Sequence, residues 1–527
     1  MRKTLAAAIA FLFVAASCAP PPTSVQTAKP VEELVFAVPA LGTGGVIDPI
    51  LSTLDDKPFN RLVYSYLFDT DLTDTRLSKD TSLASDWTWS DDRKALRVVL
   101  RKGVKFHNGA TVTAQDVKFS VGRLADKAAR APYAQTVTQL LNDVEIIGDS
   151  ELIFHLKQPS LTFLELLSPI QGGSEGFVIP EAYFKQVGAI GFQQQPIGTG
   201  PYRIARYESN SVLELEAFTD YFLGAPKIRR FVFKVMPELS TRVAALKTGG
   251  ADVISIARDR LQEMTNAGYN IHKRAVQDLP VILQPHVWGK DPRKSLENMD
   301  VRKALELAIN LDEINKFLLA GAGTLTDNWV YGAVGAQPIA PHPYDPQTAA
   351  QLLRSAGFPP GDLKLTLYVG LKTDYPEAKD VGQAIAGYWD AIGVKTTVIP
   401  EDYGTLRPKM LEKSLSVPSY RIQTSTVRPL YGPLLKSFYG CPTSNLLTIC
   451  DPTLSALIDQ LDKVPSIEEY GKTQQMIGQR MHDNYDSMVL HVLGSLYASN
   501  DKVRDWNLGV SAYDTNLRYL ALRERKQ

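Results

Sequence analysis

What this chain lacks narrows its function before any motif is read. Charge of one sign is missing: Lys plus Arg and Asp plus Glu both number 57 in 527 residues, a formal net charge of zero. A nucleic-acid protein would carry a basic excess, so that class is excluded. Beyond the first eighteen residues no apolar run is long enough to cross a bilayer. Catalytic spacing is missing too. There is no G-x-S-x-G elbow, and the seven histidines (His107, His155, His272, His286, His342, His482 and His491) form no HExxH or HxH. GTGGV (42–46) and GTGPY (198–202) lack the Lys-Ser/Thr of a phosphate loop and read as tight turns. The carboxylate pairs Asp55-Asp56 and Asp91-Asp92 sit in polar, solvated turns. No catalytic residue, metal site or cofactor is predicted, and for an exported chain this favours binding over chemistry.

One local absence is sharper. Between Asp402 and Asp451 the only acidic residue is Glu412. Inside that stretch, YRIQTSTVRPLYG (420–432) alternates like a strand and carries Arg421 and Arg428. It is either a solvated edge or a wall facing something anionic or neutral.

Cysteine is scarce, with only Cys18, Cys441 and Cys450. The N-terminus reads as an export signal over 1–17: basic MRK, then the short apolar LAAAIAFLFVAAS. Cys18 follows, then a Pro-rich tether to residue 30. A small-residue run ending at Cys predicts lipidation of Cys18, although Ala15 and Ser17 also suit an ordinary A-x-A-like cut. In an oxidising compartment Cys441 and Cys450 pair across CPTSNLLTIC, leaving Cys18 for the lipid. The chain is expected to be exported, periplasmic and tethered through that lipid alone.

At this length two or three lobes are expected. ELVFAVPA (33–40) and ELIFHLKQP (151–159) read as strands, and KALRVVLRKGVKF (94–106) as two strands across Lys102-Gly103. Thr113 with Asp116 predicts a helix N-terminus. STRVAALKTGGADV reads as a helix stopped by Gly249-Gly250, then a buried strand. MDVRKALELAINLDEINKFLLAG reads as one helix from Asp300 to Gly321, and DPQTAAQLLRSAGF (345–358) as another ending at Gly357. KLTLYV (364–369), an amphipathic stretch and VKTTVI (394–399) repeat a β-α-β rhythm, which points to an α/β protein with a partly parallel sheet. Trp288, Trp329, Tyr331, Tyr420 and Tyr431 fall in irregular or edge-like segments and suggest a cleft wall.

Several blocks together resemble the family 5 extracellular solute-binding proteins of ABC importers, the group with oligopeptide-, dipeptide- and nickel-binding members. They are LASDWTWSDDRKALRVVLRKGVKFHNGATVTAQDVKFSVGRL (83–124), PIGTGPYRIARY with the run to Val253, DVRKALELAINLDEINKFLLAGAG (300–323) and YDPQTAAQLLRSAGF (344–358). The resemblance implies a periplasmic-binding-protein type II clamshell. Lobe I would comprise 31–70, 186–275 and 490–527, an inserted subdomain 71–185, and lobe III 276–489. It implies capture of a small solute by hinge closure and delivery to permease subunits, by a monomer with no enzymatic activity. FHNG (106–109) then has a scaffold role, a tight turn and its hydrogen bonds.

Peptide binders of this group hold the ligand ammonium with an aspartate, in a motif resembling W-x-x-D-Y-x-D-P. Here that motif falls on Ile422–Pro429, where the aspartate is replaced by Ser425. A buried ammonium without a carboxylate is disfavoured. Arg421, Gln423, Ser425 and Arg428 offer donors instead, with Arg421, Gln423 and Ser425 on one strand face. A non-peptide or amine-blocked ligand is expected: an oligosaccharide, an opine-like conjugate or another organic anion. Tyr431, Trp329 and Tyr331, with Phe59 and Asn60 in the opposite lobe, complete the candidate ligand-binding set. A di- or oligopeptide receptor with its amine anchor elsewhere is the second reading, and a secreted enzyme or interaction protein the third.

Overall fold

A computed structural model describes residues 31–42, 48–53, 56–72, 76–171, 173–274, 279–287, 291–371, 375–442, 444, 446, 448–464, 466–508 and 516–522. The expected signal, Cys18 and the tether lie outside the described residues, as do Trp288 and most of GTGGV.

Three large sheets, beside a two-stranded pair of Asp69–Thr70 with Leu77–Ser78, organise the described residues. The first has seven strands in the order Asn270–Lys273, Leu496–Ser499, Val253–Ser255, Val31–Val38, Ile228–Val235, Val212–Ala217 and Tyr202–Glu208. Strand Val31–Val38 runs parallel to both of its neighbours. Its side chains alternate between two cores: Leu34, Phe36 and Val38 enter one, Val35 and Ala37 the other. Burial on both faces explains its near-continuous apolar sequence.

The second sheet has five strands, ordered Lys395–Glu401, Lys364–Gly370, Ser419–Thr424, Leu279–His286 and Met488–Leu493. The β-α-β rhythm is realised: Lys364–Gly370 and Lys395–Glu401 pair in parallel, with helix Ala378–Ala391 between them. Because Met488–Leu493 pairs with Leu279–His286, this sheet runs on to 493. The third sheet is antiparallel, ordered Ala84–Trp89, Ala95–Leu100, Glu151–Leu156 and Leu141–Gly148, and belongs to the inserted region.

The chain passes between the first two sheets twice, from Lys273 to Leu279 and from Leu493 to Leu496. Next to the second crossing, Arg258, which follows a strand of the first sheet, meets Glu377, which precedes the helix packed on the second. Arg258 Nη1 lies 2.9 Å from Glu377 Oε1, the Arg258 amide donates to the same oxygen at 2.7 Å, and Nη2 donates to the Gly494 carbonyl.

Local rules account for several helix ends. Thr113 caps helix Ala114–Gly122 in a reciprocal box with Asp116. Gly249, at φ 79°, ends helix Leu239–Thr248 in the left-handed conformation that glycine adopts freely. Two expectations are corrected. The long helix over 299–321 is two, Met299–Leu307 and Leu311–Leu318, because Asn310 leaves helical geometry and accepts a hydrogen bond from the Glu313 amide. The first is capped by Asn298 rather than Asp300. Of the two strands expected over 94–106, only Ala95–Leu100 forms, pairing with Ala84–Trp89 and Glu151–Leu156. The second half makes a single bridge, Lys105 to Thr111.

FHNG has the scaffold role. His107 Nε2 donates to the Gly200 carbonyl at 3.0 Å, and Nδ1 accepts from the Gly198 amide at 3.3 Å, so the ring reads both ends of the GTGPY turn. Burial pushes His107 down to about 4, which keeps it neutral. The turn needs its glycines for space. A Cβ at Gly198 would stand 2.1 Å from the Val63 carbonyl oxygen, and one at Gly200 2.5 Å from that of Leu62.

Candidate functional site

Strand Ser419–Thr424 is not an edge. It lies between Lys364–Gly370 and Leu279–His286, so every second side chain faces one of two cores. Tyr420 and Ile422 enter the core of lobe III. Arg421 stands opposite Gln284 on one neighbouring strand and Tyr368 on the other. Its guanidinium donates to Gln284 Oε1 at 2.8 Å, to Gln423 Oε1, and towards Met410 Sδ at 3.0 Å. The rings of Tyr403 and Phe438 each lie 5.6 Å from it, within cation–π range. Gln284 passes the chain on, donating to Tyr439 Oη at 2.8 Å. His286 stays neutral, held well below the ordinary imidazole value by burial and then by the Arg421 charge.

Arg428 reaches out of lobe III. Its Nη1 donates to Tyr133 Oη at 2.8 Å and to the Gln171 carbonyl at 3.0 Å, both in the stretch that carries the four-stranded sheet and its helices. Gln171 answers with a 3.0 Å hydrogen bond to the Leu430 carbonyl. From lobe I comes Lys57, at the start of helix Lys57–Val63. Its ammonium is buried and donates to the Pro169 carbonyl at 2.6 Å. Burial, then the charges of Arg61 and Arg428, push Lys57 well below its usual range. Arg428 and Lys57 therefore lie close enough to repel one another.

Of the neighbouring acids, Asp69 favours the Lys57 ammonium and also pairs with Arg61 and Arg518. Burial pushes Glu165 and Glu175 up to about 7, so each is near half-protonated at neutral pH. Glu165 accepts from Gln171 at 3.2 Å, and Glu175 from the Tyr133 amide at 2.5 Å. Arg428 and Lys57 thus lie near one another, their described hydrogen-bond acceptors being carbonyl, amide and phenol oxygens, while Arg421 occupies its own buried setting beside Gln284, Gln423 and Met410. Their field favours an anion.

The structure brings together only some of the sequence-predicted residues. Arg421 and Gln423 share a face and touch. Ser425 follows on the same segment, its amide donating to the Pro280 carbonyl at 2.8 Å and its buried hydroxyl without a hydrogen-bond partner. Trp329 and Tyr431 form a T-shaped pair 5.7 Å apart, and Tyr431 Oη donates to the Tyr331 carbonyl at 3.0 Å. Both large rings are buried in the core that lobe III shares with the inserted subdomain, and Tyr331 packs at its margin. Phe59 packs edge-on against Phe233 inside lobe I, and Asn60 donates to Ser52 Oγ at 2.9 Å. Lys57, three residues before Asn60, is the one that feels the Arg428 charge.

Sequence reasoning missed Lys57, Tyr133, Gln171 and Gln284. Lys57 had a weak signal, its place beside the chosen pair Phe59 and Asn60. The others lie 137 to 295 residues from their arginine partners. Between the inserted subdomain and lobe III a groove of about 830 Å³ opens, lined by Leu124, Arg130, Gln135, Arg407, Lys436 and others. Cys441 and Cys450 form the expected disulfide. Among the described residues no helix is long and apolar enough to cross a membrane.

Comparisons with known proteins agree with this architecture. Heme-binding protein A of Haemophilus influenzae is 25% identical over 460 residues, covering 81% of this chain and 80% of that protein. The dipeptide-binding protein of Escherichia coli is 27% identical over 353 residues, covering 61% of this chain and 63% of that protein. In fold, the chain is similar to the periplasmic binding protein DppA from Helicobacter pylori in complex with peptide STSA, with TM-score 0.80 at 20% identity, over 94% of this chain and 99% of that one. It is also similar to the binding protein AgaA from A. tumefaciens R10 in complex with agropinic acid, with TM-score 0.78 at 19% identity and the same coverage. These likenesses place the fold among the type II periplasmic binding proteins. The model of the bacterial extracellular solute-binding proteins, family 5 (middle region), matches residues 81–441, well over half of the sequence. This chain belongs to the bacterial extracellular solute-binding proteins, family 5.

Proposed function

We propose that the protein is the receptor of an ABC importer for a small organic anion without a free amine, such as an opine-like conjugate or an acidic sugar. One observation carries this reading. Lys57 and Arg428, both buried and 371 residues apart in sequence, come near one another, and on the segment that carries Arg428 and the buried Arg421, Ser425 stands where a peptide's amine would need an aspartate. Guanidinium forks match planar oxyanions, and a ligand carboxylate would supply the negative charge this region favours. Ligand contacts made from both lobes bias the open–closed equilibrium towards closure, and the closed form is the one a permease recognises. Export and lipidation at Cys18 belong to the same reading. Intact-mass measurement of wild type and Cys18→Ala tests them, because only the wild type would carry the added acyl mass.

The experiment is extraction of whatever co-purifies with the protein, identified by mass spectrometry. A melting-temperature screen of the stripped protein would follow. Carboxylate-bearing, amine-free compounds should raise the melting temperature, and turnover assays should stay blank. The second reading, a di- or oligopeptide receptor, is favoured by the similar fold that holds peptide STSA. Stabilisation by free dipeptides but not by amine-free anions would establish that reading and overturn the first.

A further inference from the structure

Two half-buried histidines, distant in sequence, meet a buried aspartate on lobe III. Asp327 lies just before Trp329, His342 precedes helix Pro346–Ser355, and His482 is in the last turn of helix Ile467–Asp483. One nitrogen of each imidazole and one carboxylate oxygen of Asp327 lie within 4.8 Å of one another. His482 Nδ1 is 2.7 Å from Asp327 Oδ2. The two imidazoles stack at 3.9 Å between centroids with an interplanar angle of 7°, and Tyr485 stacks on His342 at 4.2 Å.

The ordinary reading is an ion pair, an imidazolium near a helix C-terminus held by a carboxylate. Two features exceed it. First, outer hydrogen bonds already aim the donor atoms. The Val489 amide donates to Asp327 Oδ1 at 2.9 Å, leaving Oδ2 directed at His482. His342 Nε2 donates to the His482 carbonyl at 3.1 Å, leaving Nδ1 as the ring's lone-pair nitrogen. Ligating carboxylates and histidines are oriented by outer contacts of this kind. Second, an Asp327–His482 ion pair does not need a third ligating group, yet His342 stands beside it with one ring nitrogen within 4.8 Å of the other two donor atoms.

We infer that Asp327, His342 and His482 form a binding site for a divalent late first-row transition-metal ion, with Zn²⁺ as the probe. Two imidazoles and one carboxylate suit such an ion and leave a fourth position for water. Bonds of about 2.0–2.1 Å place tetrahedral ligand atoms roughly 3.3 Å apart, so binding requires the 4.8 Å span to close by about 1.5 Å and the stacked imidazole planes to tilt apart until both in-plane lone pairs meet one ion. On binding, the ion takes the lone pairs of Asp327 Oδ2, His482 Nδ1 and His342 Nδ1, and the proton on His482 Nδ1 leaves to solvent. The ion would pin the segment 327–342, which carries Trp329 and Tyr331, to helix Ile467–Asp483.

The test uses the full chain, stripped with EDTA and titrated with ZnCl₂ at pH 7.5 by calorimetry, with thermal melts in parallel. The expected result is one ion per chain, a melting temperature that rises with Zn²⁺, and at least a tenfold loss of affinity in His342→Gln and in His482→Gln. Both rings are partly exposed, so both variants should fold, and a melt without Zn²⁺ checks this. Absence of saturable one-to-one binding in the wild type overturns the inference. So does binding that persists in both variants, which would put the ion elsewhere, the ligand cleft included. Full affinity in His342→Gln alone would reduce the cluster to an ion pair and would equally refute the three-ligand site.

Discussion

Replacing Arg428 by Met separates binding from stability in a way the geometry makes quantitative. Without ligand, the guanidinium serves the Gln171 carbonyl and side-chain oxygens and Tyr133 Oη. Tyr133 Oη keeps its own 3.1 Å hydrogen bond to the Gln171 carbonyl, so the substitution leaves chiefly the Gln171 amide oxygen unserved. That costs about 1–3 kcal/mol. Removing a desolvated cation that lies near Lys57 returns a similar amount, so the net change in stability should stay within about 1 kcal/mol. The bound state differs. A ligand carboxylate facing an absent guanidinium is a buried charge without its partner, worth about 2–4 kcal/mol, or roughly a 30- to 1,000-fold rise in Kd. Calorimetry of the extracted ligand on stripped wild type, Arg428→Met, Arg428→Lys and Arg421→Met, beside thermal melts, measures both quantities. Arg428→Lys should fall between wild type and Met, since it keeps the charge and loses the fork. Unchanged Kd in both Met variants, with normal melts, would refute the anionic cleft. A loss of stability as large as the loss of binding would show that the arginines are purely structural.

Three further outcomes follow from the same geometry. Reducing the Cys441–Cys450 bridge, whose partners lie nine residues apart, should lower stability by about 3 kcal/mol through the freed unfolded loop. A urea midpoint insensitive to dithiothreitol would contradict this. Glu175 titrates near 7 in the fold against about 4.5 unfolded, so its protonated form is stabilised at low pH and that stabilisation is lost as pH rises through 7. Glu175→Gln should therefore match wild type near pH 4.5 and exceed it by about 3 kcal/mol above pH 8; parallel profiles would disprove the assignment. Finally, Glu377→Gln weakens the acceptor that ties Arg258 of lobe I to lobe III. Ligand-free scattering should then show a more open particle and Kd should rise about five- to tenfold, whereas an unchanged profile and Kd would exclude a role in closure.

Legibility in the sequence followed the range of the interaction. The Thr113–Asp116 box and the Gly249 stop were readable because each acts within one helical turn. The split at Asn310 was readable in principle, since the side chain caps a helix three residues on. It was overridden by an apolar pattern that runs through both helices. Arg421 and Gln423 were placed on one face by the two-residue strand period, and they touch. The aromatics misled. Trp329 and Tyr431 stand outside regular core spacing, yet they pack together because two lobes share a core there.

By itself the sequence determined the α/β class, the family, the pairing of Cys441 with Cys450, and the absence of an acid where a peptide's amine would need one. These follow from composition, from periodicity and from motifs whose parts lie close in the chain or in fixed order. Only the tertiary structure decided what Arg428 touches, because Tyr133 and Gln171 stand 295 and 257 residues away in another subdomain. It alone set Lys57 near that arginine and gathered Asp327, His342 and His482. Electrostatics and ligation depend on distances of a few ångströms, and in a two-lobed chain those distances are set by how the lobes pack.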